Sequence, residues 1–109
     1  MSMKEIKVFV KEPGKAPEAR TVPNTLEAFQ RIVGGYIEPF TVATDLLIIC
    51  NEEGRLLGLP YNFAIPGGVD FVGTVIFVGR FRDRFCDVTV TKGWLRQIIL
   101  KDSCREEKE

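Results

Sequence analysis

Arg80, Arg82 and Arg84 alternate in the run RFRDRF, the most chemically pointed spacing in the chain. In an extended run, period-two alternation places all three guanidinium groups on one face. Guanidinium forks suit phosphate oxygens bidentately, and Phe81 or Phe85 could stack a base. The same residues also read as a charged, solvated loop joining two strands. A second candidate group is Asn51, Arg55, Tyr61 and Asn62, with hydrogen bonding from the amides and stacking from the ring. With the three arginines, these residues form the expected ligand-binding set. Glu52 and Glu53 are adjacent carboxylates. Neighbours on a strand or turn point apart, so they read as a solvated turn rather than an acid–base dyad.

Catalytic machinery is hard to assemble from this composition. The chain has 109 residues and no histidine. That removes Ser-His-Asp and Cys-His nucleophilic chemistry and the commonest zinc ligand. The phosphate-binding, dinucleotide, nucleophile-elbow and metalloprotease motifs are all missing from the sequence. The reading is therefore a non-enzymatic protein, with no catalytic residue, metal site or cofactor expected. A histidine-free hydrolase using Asp70, Asp83 or Asp87 is the remaining catalytic alternative.

Lys+Arg and Asp+Glu balance at 15 each. A neutral chain lacks the field of a general nucleic-acid binder, so any anion site must be local. Cys50, Cys86 and Cys104 fit neither a C-x-x-C spacing nor a closed disulfide framework. Cys50 and Cys86 read as small buried hydrophobes and Cys104 as an exposed tail thiol. A reducing cytoplasm is the expected location. No apolar leader follows Met1–Lys7, and the apolar runs are too short to span a bilayer.

The elements that must carry these groups read as one domain over residues 1–101, with a charged, frayed tail over 102–109. Lys4–Val10 alternates as a half-buried strand, Lys11–Pro17 turns, and Glu18–Val22 returns. Asn24 caps a helix with Glu27 three residues on; Leu26, Phe29, Ile32 and Val33 form its apolar face, and Gly34-Gly35 ends it. Tyr36–Thr44 is extended. Leu46–Cys50 is a strand buried on both faces, and Asn51–Gly54 turns it into a return strand, Arg55–Leu59. Phe71–Phe81 is a core strand in which Gly73 and Gly79 mark bulges or close approaches. Phe85–Val90 alternates. Thr91 caps a last helix through about Lys101, with an apolar face of Trp94, Leu95, Ile98 and Ile99. The fold class is α+β: a mainly antiparallel sheet of about five to six strands, with two helices packed on one side of it.

Three separated stretches resemble the bacterial and phage family called "domain of unknown function 3846". They are the opening KVFVKEPGKAPEAR, the helix exit carried by Leu26, Gln30, Val33, Gly34, Gly35, Ile37 and Glu38, and the loop carried by Asn51, Gly54, Gly58, Leu59, Pro60 and Asn62. The similarity runs from about Lys4 to Gly79. The resemblance implies a phage or mobile-element setting and supplies no activity. The expected function is a binding protein that counters host immunity by sequestering a nucleotide-like anionic signal. The alternative is a protein–protein inhibitor or assembly module acting on a host defence protein through a sheet edge or the last helix around Trp94. Exposed sheet edges make a homodimer the expected assembly.

Overall fold

The opening alternation becomes strand β1 (Glu5–Lys11) in the computed structural model, which describes residues 4–102. β1 pairs antiparallel with β2 (Glu18–Pro23), Ile6 opposite Val22 and Val10 opposite Glu18. Helix α1 (Leu26–Val33) follows, then strands β3 (Ile37–Ala43) and β4 (Leu46–Asn51). A loop leads to a small hairpin of β5 (Tyr61–Ile65) and β6 (Val69–Val72), turned by Pro66–Gly68 with both glycines at positive φ. β7 (Val75–Phe81), β8 (Arg84–Cys86) and α2 (Lys92–Ile98) complete the order.

The main sheet has six antiparallel strands in the order β2-β1-β7-β4-β3, with β8 also paired to β7. β4 and β7 are central, which explains their unbroken apolar runs: strands covered on both faces cannot alternate with polar residues. Leu47, Ile49, Ile76 and Val78 face one way, onto Phe29 and Val33 of α1. Leu46, Ile48, Val75 and Phe77 face the other way, onto Phe63 and Phe71 of the β5–β6 hairpin, Leu95 of α2 and Ile99 just after it. The two helices therefore lie on opposite faces of the sheet, not together on one. Two cores result, and each fully buried Leu, Ile, Val or Phe stabilises them by about 1.5–3 kcal/mol.

Several expected boundaries move, each for a local reason. Thr25, not Asn24, caps α1: its hydroxyl accepts from Ala28 N–H at 3.1 Å. Asn24 instead donates to the Phe85 carbonyl and ties the helix start to β8. Gly34 closes α1 at φ 85, the left-handed cap that the glycine pair predicts. The second half of β1 is buried on both faces, because the β5–β6 hairpin covers Phe9 and Lys11. Arg55–Leu59 is not a return strand. β4 already pairs with β3 on one edge and β7 on the other, so no edge is open to receive it. The segment closes local bonds instead, Leu57 N–H to Glu53 and Leu59 N–H to Gly54. Phe71–Phe81 is two strands broken at Gly73, where φ is +74 and Leu59 packs against the backbone. At Gly79 a Cβ would meet the Asp87 carbonyl oxygen at 2.1 Å, so the close approach read from that glycine is real.

Thr91 caps α2 as expected, accepting from Trp94 N–H. The helix ends at Ile98, short of Lys101, because Leu100 leaves it to exchange two backbone bonds with Ala64 of β5. Asp102, expected to fray, is buried against β1. The Cys104 thiol and the remainder of the expected tail lie outside the described residues.

Candidate functional site

The arginine run is a hairpin, not an extended strand. Arg80 is the last residue but one of β7, Arg82 and Asp83 form the turn, and Arg84 opens β8. Phe81 stands opposite Arg84 and Arg80 opposite Phe85. Cross-strand partners share a face, so Arg80 and Arg84 lie on opposite faces of the ribbon. Arg80 donates from Nε to the Thr44 carbonyl at 3.3 Å. Arg82 sits at the tip with φ 61 and holds its guanidinium 5.2 Å from the Phe81 ring. The expectation that three arginines share one face is thus corrected: the two-residue turn inverts the alternation. Phe85 is also committed, edge-on to Phe29 of α1 at 5.4 Å.

Both candidate amides are built into the fold. Asn62 is 0 % exposed. Its Nδ2 donates to the carbonyls of Lys11 and Gly73, and its Oδ1 accepts from Lys11 Nζ at 2.7 Å. Strand alternation after the half-exposed Tyr61 turns Asn62 inward, away from the rim where it was expected. Asn51 caps the other end of the architecture: Nδ2 donates to the Val33 carbonyl at the end of α1, and Oδ1 accepts from Glu53 N–H. The Asn51 side chain would meet a Cβ placed on Gly35 at 2.9 Å, which accounts for the second glycine after the helix.

Of the expected set, Asn51 and Arg55 line one shared cleft, of about 280 Å³. Its floor is Phe40, Cys50, Val69 and Phe71, with Phe40 and Phe71 edge to face at 5.6 Å. Its rim carries Glu38, Glu52, Glu53 and Asp70, with Leu56 on the loop above, 88 % exposed. Arg55 crosses from that loop to the carbonyl and carboxylate of Asp70 on β6. Burial pushes the Cys50 thiol pKa up; the Glu38 carboxylate raises it further, while Arg55 opposes both. A second recess, of about 370 Å³, continues along β3 toward Val42, Ile65, Trp94 and Ile98 and shares Phe40 and Val69 with the first. Cys50 and Cys86 are both half-buried, more open than expected.

Sequence reasoning missed the β3 contribution. Its signal was present: Glu38, Phe40 and Val42 alternate with Ile37, Pro39 and Thr41, and the even residues form the wall. The carboxylates weighed for hydrolysis do not converge. Asp70 pairs with Arg55, Asp83 lies in the β7–β8 turn, and Asp87 accepts from Lys7 N–H at 2.8 Å. Among the described residues there is no metal-ligating cluster and no helix long and apolar enough to cross a membrane.

No curated protein and no solved structure matches the chain. A family model matches residues 6–98, beyond the stretch that carries the resemblance and through the arginine hairpin into α2. The chain therefore belongs to the family described as Domain of unknown function (DUF3846).

Proposed function

We propose that this protein is a non-catalytic binding module that engages a segment of another protein along the face of β3. The observation that carries the reading is the pair of recesses that share Phe40 and Val69 and together flank β3 from the 52–60 loop to Trp94. Aromatic and aliphatic walls with a charged rim are the anatomy of a protein-recognition surface.

Charge favours this over a nucleotide. The rim of the first recess carries four carboxylates against one guanidinium, already paired. A phosphate oxygen about 4 Å from one such carboxylate would meet repulsion of roughly 4 kcal/mol at the effective dielectric of a protein surface. The arginine hairpin offers no compensating focus, because Arg80 and Arg84 lie on opposite faces.

Docking onto the face also fits better than strand addition at the β3 edge. Glu52 N–H bonds the Tyr36 carbonyl, so the hydrogen-bonded positions of β3 are the even ones. Pro39, opposite Ile49, then turns its nitrogen to the free edge, where it has no proton to donate. In the phage or mobile-element setting that the family resemblance implies, the module would act as a stoichiometric inhibitor of a host defence protein.

A displayed random-peptide library tests the reading beside calorimetry with a nucleotide panel. Peptides should enrich on the wild type and be lost on Leu56→Ser and Trp94→Ala, while nucleotides give no heat. Nucleotide binding that Arg82→Ala abolishes would overturn it.

A further inference from the structure

We infer that the recess between β3, β6 and the 52–60 loop receives a basic side chain, arginine or lysine, of the partner's segment, set beside an apolar anchor. The inference rests on the reading just given and names the partner's chemistry. It stands on an imbalance within the recess. Arg55 bonds both the carbonyl and the carboxylate of Asp70. Glu38, Glu52 and Glu53 have no cationic side chain within ion-pair distance among the described residues. Three carboxylates thus stand around an apolar floor with one guanidinium already spent.

The shape matches the charge. Phe40 and Phe71 lie at the base, where the methylene stem of a long basic side chain packs while its head reaches the rim. The Phe40 ring adds an aromatic surface that attracts a cation. Arg55 itself shows the arrangement in miniature: a guanidinium laid across the mouth and fixed by one backbone carbonyl and one carboxylate. The neighbouring recess at Val42 and Trp94 takes the apolar anchor. An acidic partner segment would be repelled at the rim, so the site discriminates by charge as well as fit.

The probe is the displayed random-peptide library, followed by anisotropy titration of the enriched peptides against the full chain. Enriched sequences should carry arginine or lysine within a few residues of an aromatic or aliphatic side chain. Affinity should fall with added salt. The variant Glu38→Gln/Glu52→Gln/Glu53→Gln, near-isosteric at an open rim, should weaken binding about tenfold, as the loss of three surface-type ion pairs implies. Replacing the peptide's basic residue by norleucine should cost the wild type the same factor and cost the triple variant nothing. Enriched peptides that lack a basic residue, or an unchanged Kd in the triple variant, overturn this inference and leave the binding module standing. A library that yields no binder overturns both.

Discussion

Replacing Asp102 by alanine is expected to destabilise the fold far more than its place after the last helix suggests. Lys11 is 0 % exposed, yet it carries an ammonium group. Its Nζ lies 2.9 Å from Asp102 Oδ1, 2.7 Å from Asn62 Oδ1 and 5.5 Å from the centre of the Phe63 ring. Of these neighbours, Asp102 alone carries a negative charge. Removing it leaves a cation in an apolar layer with an amide oxygen and a ring face. Breaking a buried pair by deleting one partner costs about 3–5 kcal/mol. The Asp102 side chain is 10 % exposed, so water can approach the vacated place. The lower end, about 3 kcal/mol, is the expected loss.

A domain of this size is stable by about 5–15 kcal/mol, so the loss is a large fraction of the total. Urea unfolding reads it directly. With a slope of about 1–3 kcal/mol/M, the midpoint should fall by on the order of 1–3 M at an unchanged slope. The double variant Lys11→Met/Asp102→Leu separates lost charge compensation from lost packing. It removes both charges and also the bond from Lys11 Nζ to Asn62 Oδ1, a loss of about 1–3 kcal/mol. The double variant should therefore be no less stable than Asp102→Ala, and Lys11→Met should help in the alanine background although it harms the wild type. A single variant within about 0.5 kcal/mol of wild type, or a double variant clearly worse than the single, would refute the assigned role.

Three further outcomes test other parts of the structure. Gly79→Ala should cost about 3 kcal/mol or more by chemical denaturation, because the new methyl meets the Asp87 backbone rather than a movable side chain. Arg82→Gly should stabilise by about 1 kcal/mol, raising Tm by several degrees, since φ 61 strains a side chain and suits glycine. Cys50 should alkylate with iodoacetamide more slowly than a free thiol near pH 8, because burial and Glu38 raise its pKa and leave less thiolate at a given pH. Glu38→Gln should speed that reaction, and peptide mapping separates Cys50 from the other thiols.

Much of the architecture was legible because local signals coincided with global placement. The runs Leu46–Cys50 and Val75–Val78 are unbroken because both strands lie at the centre of the sheet. Gly34 and Thr91 mark helix ends by stereochemistry that needs no tertiary partner. What failed was long-range. Nothing local to Arg55–Leu59 says that both edges of β4 are already taken. Nothing local to Lys11 says that Asn62 and Asp102 will enclose it. The side of the sheet taken by each helix depends on how the β5–β6 hairpin folds back, which the apolar pattern of α2 does not encode.

The asparagines sit elsewhere than the rim expected of them for a related reason. Polar residues near turns invite a functional reading, and Asn51 and Asn62 were the most inviting of them. Both are consumed by backbone groups that would otherwise be buried without partners: the α1 end, the Lys11 carbonyl and the Gly73 carbonyl. An amide offers two donors and an acceptor on a short stem, which suits it to join segments distant in sequence. Without such commitments are the carboxylates on β3 and the 52–60 loop that line the first recess, and the side of the edge strand β3 that faces it. On the reading proposed above, binding chemistry would fall to what the hydrogen-bond network leaves over, on β3 rather than on the motif-like asparagines.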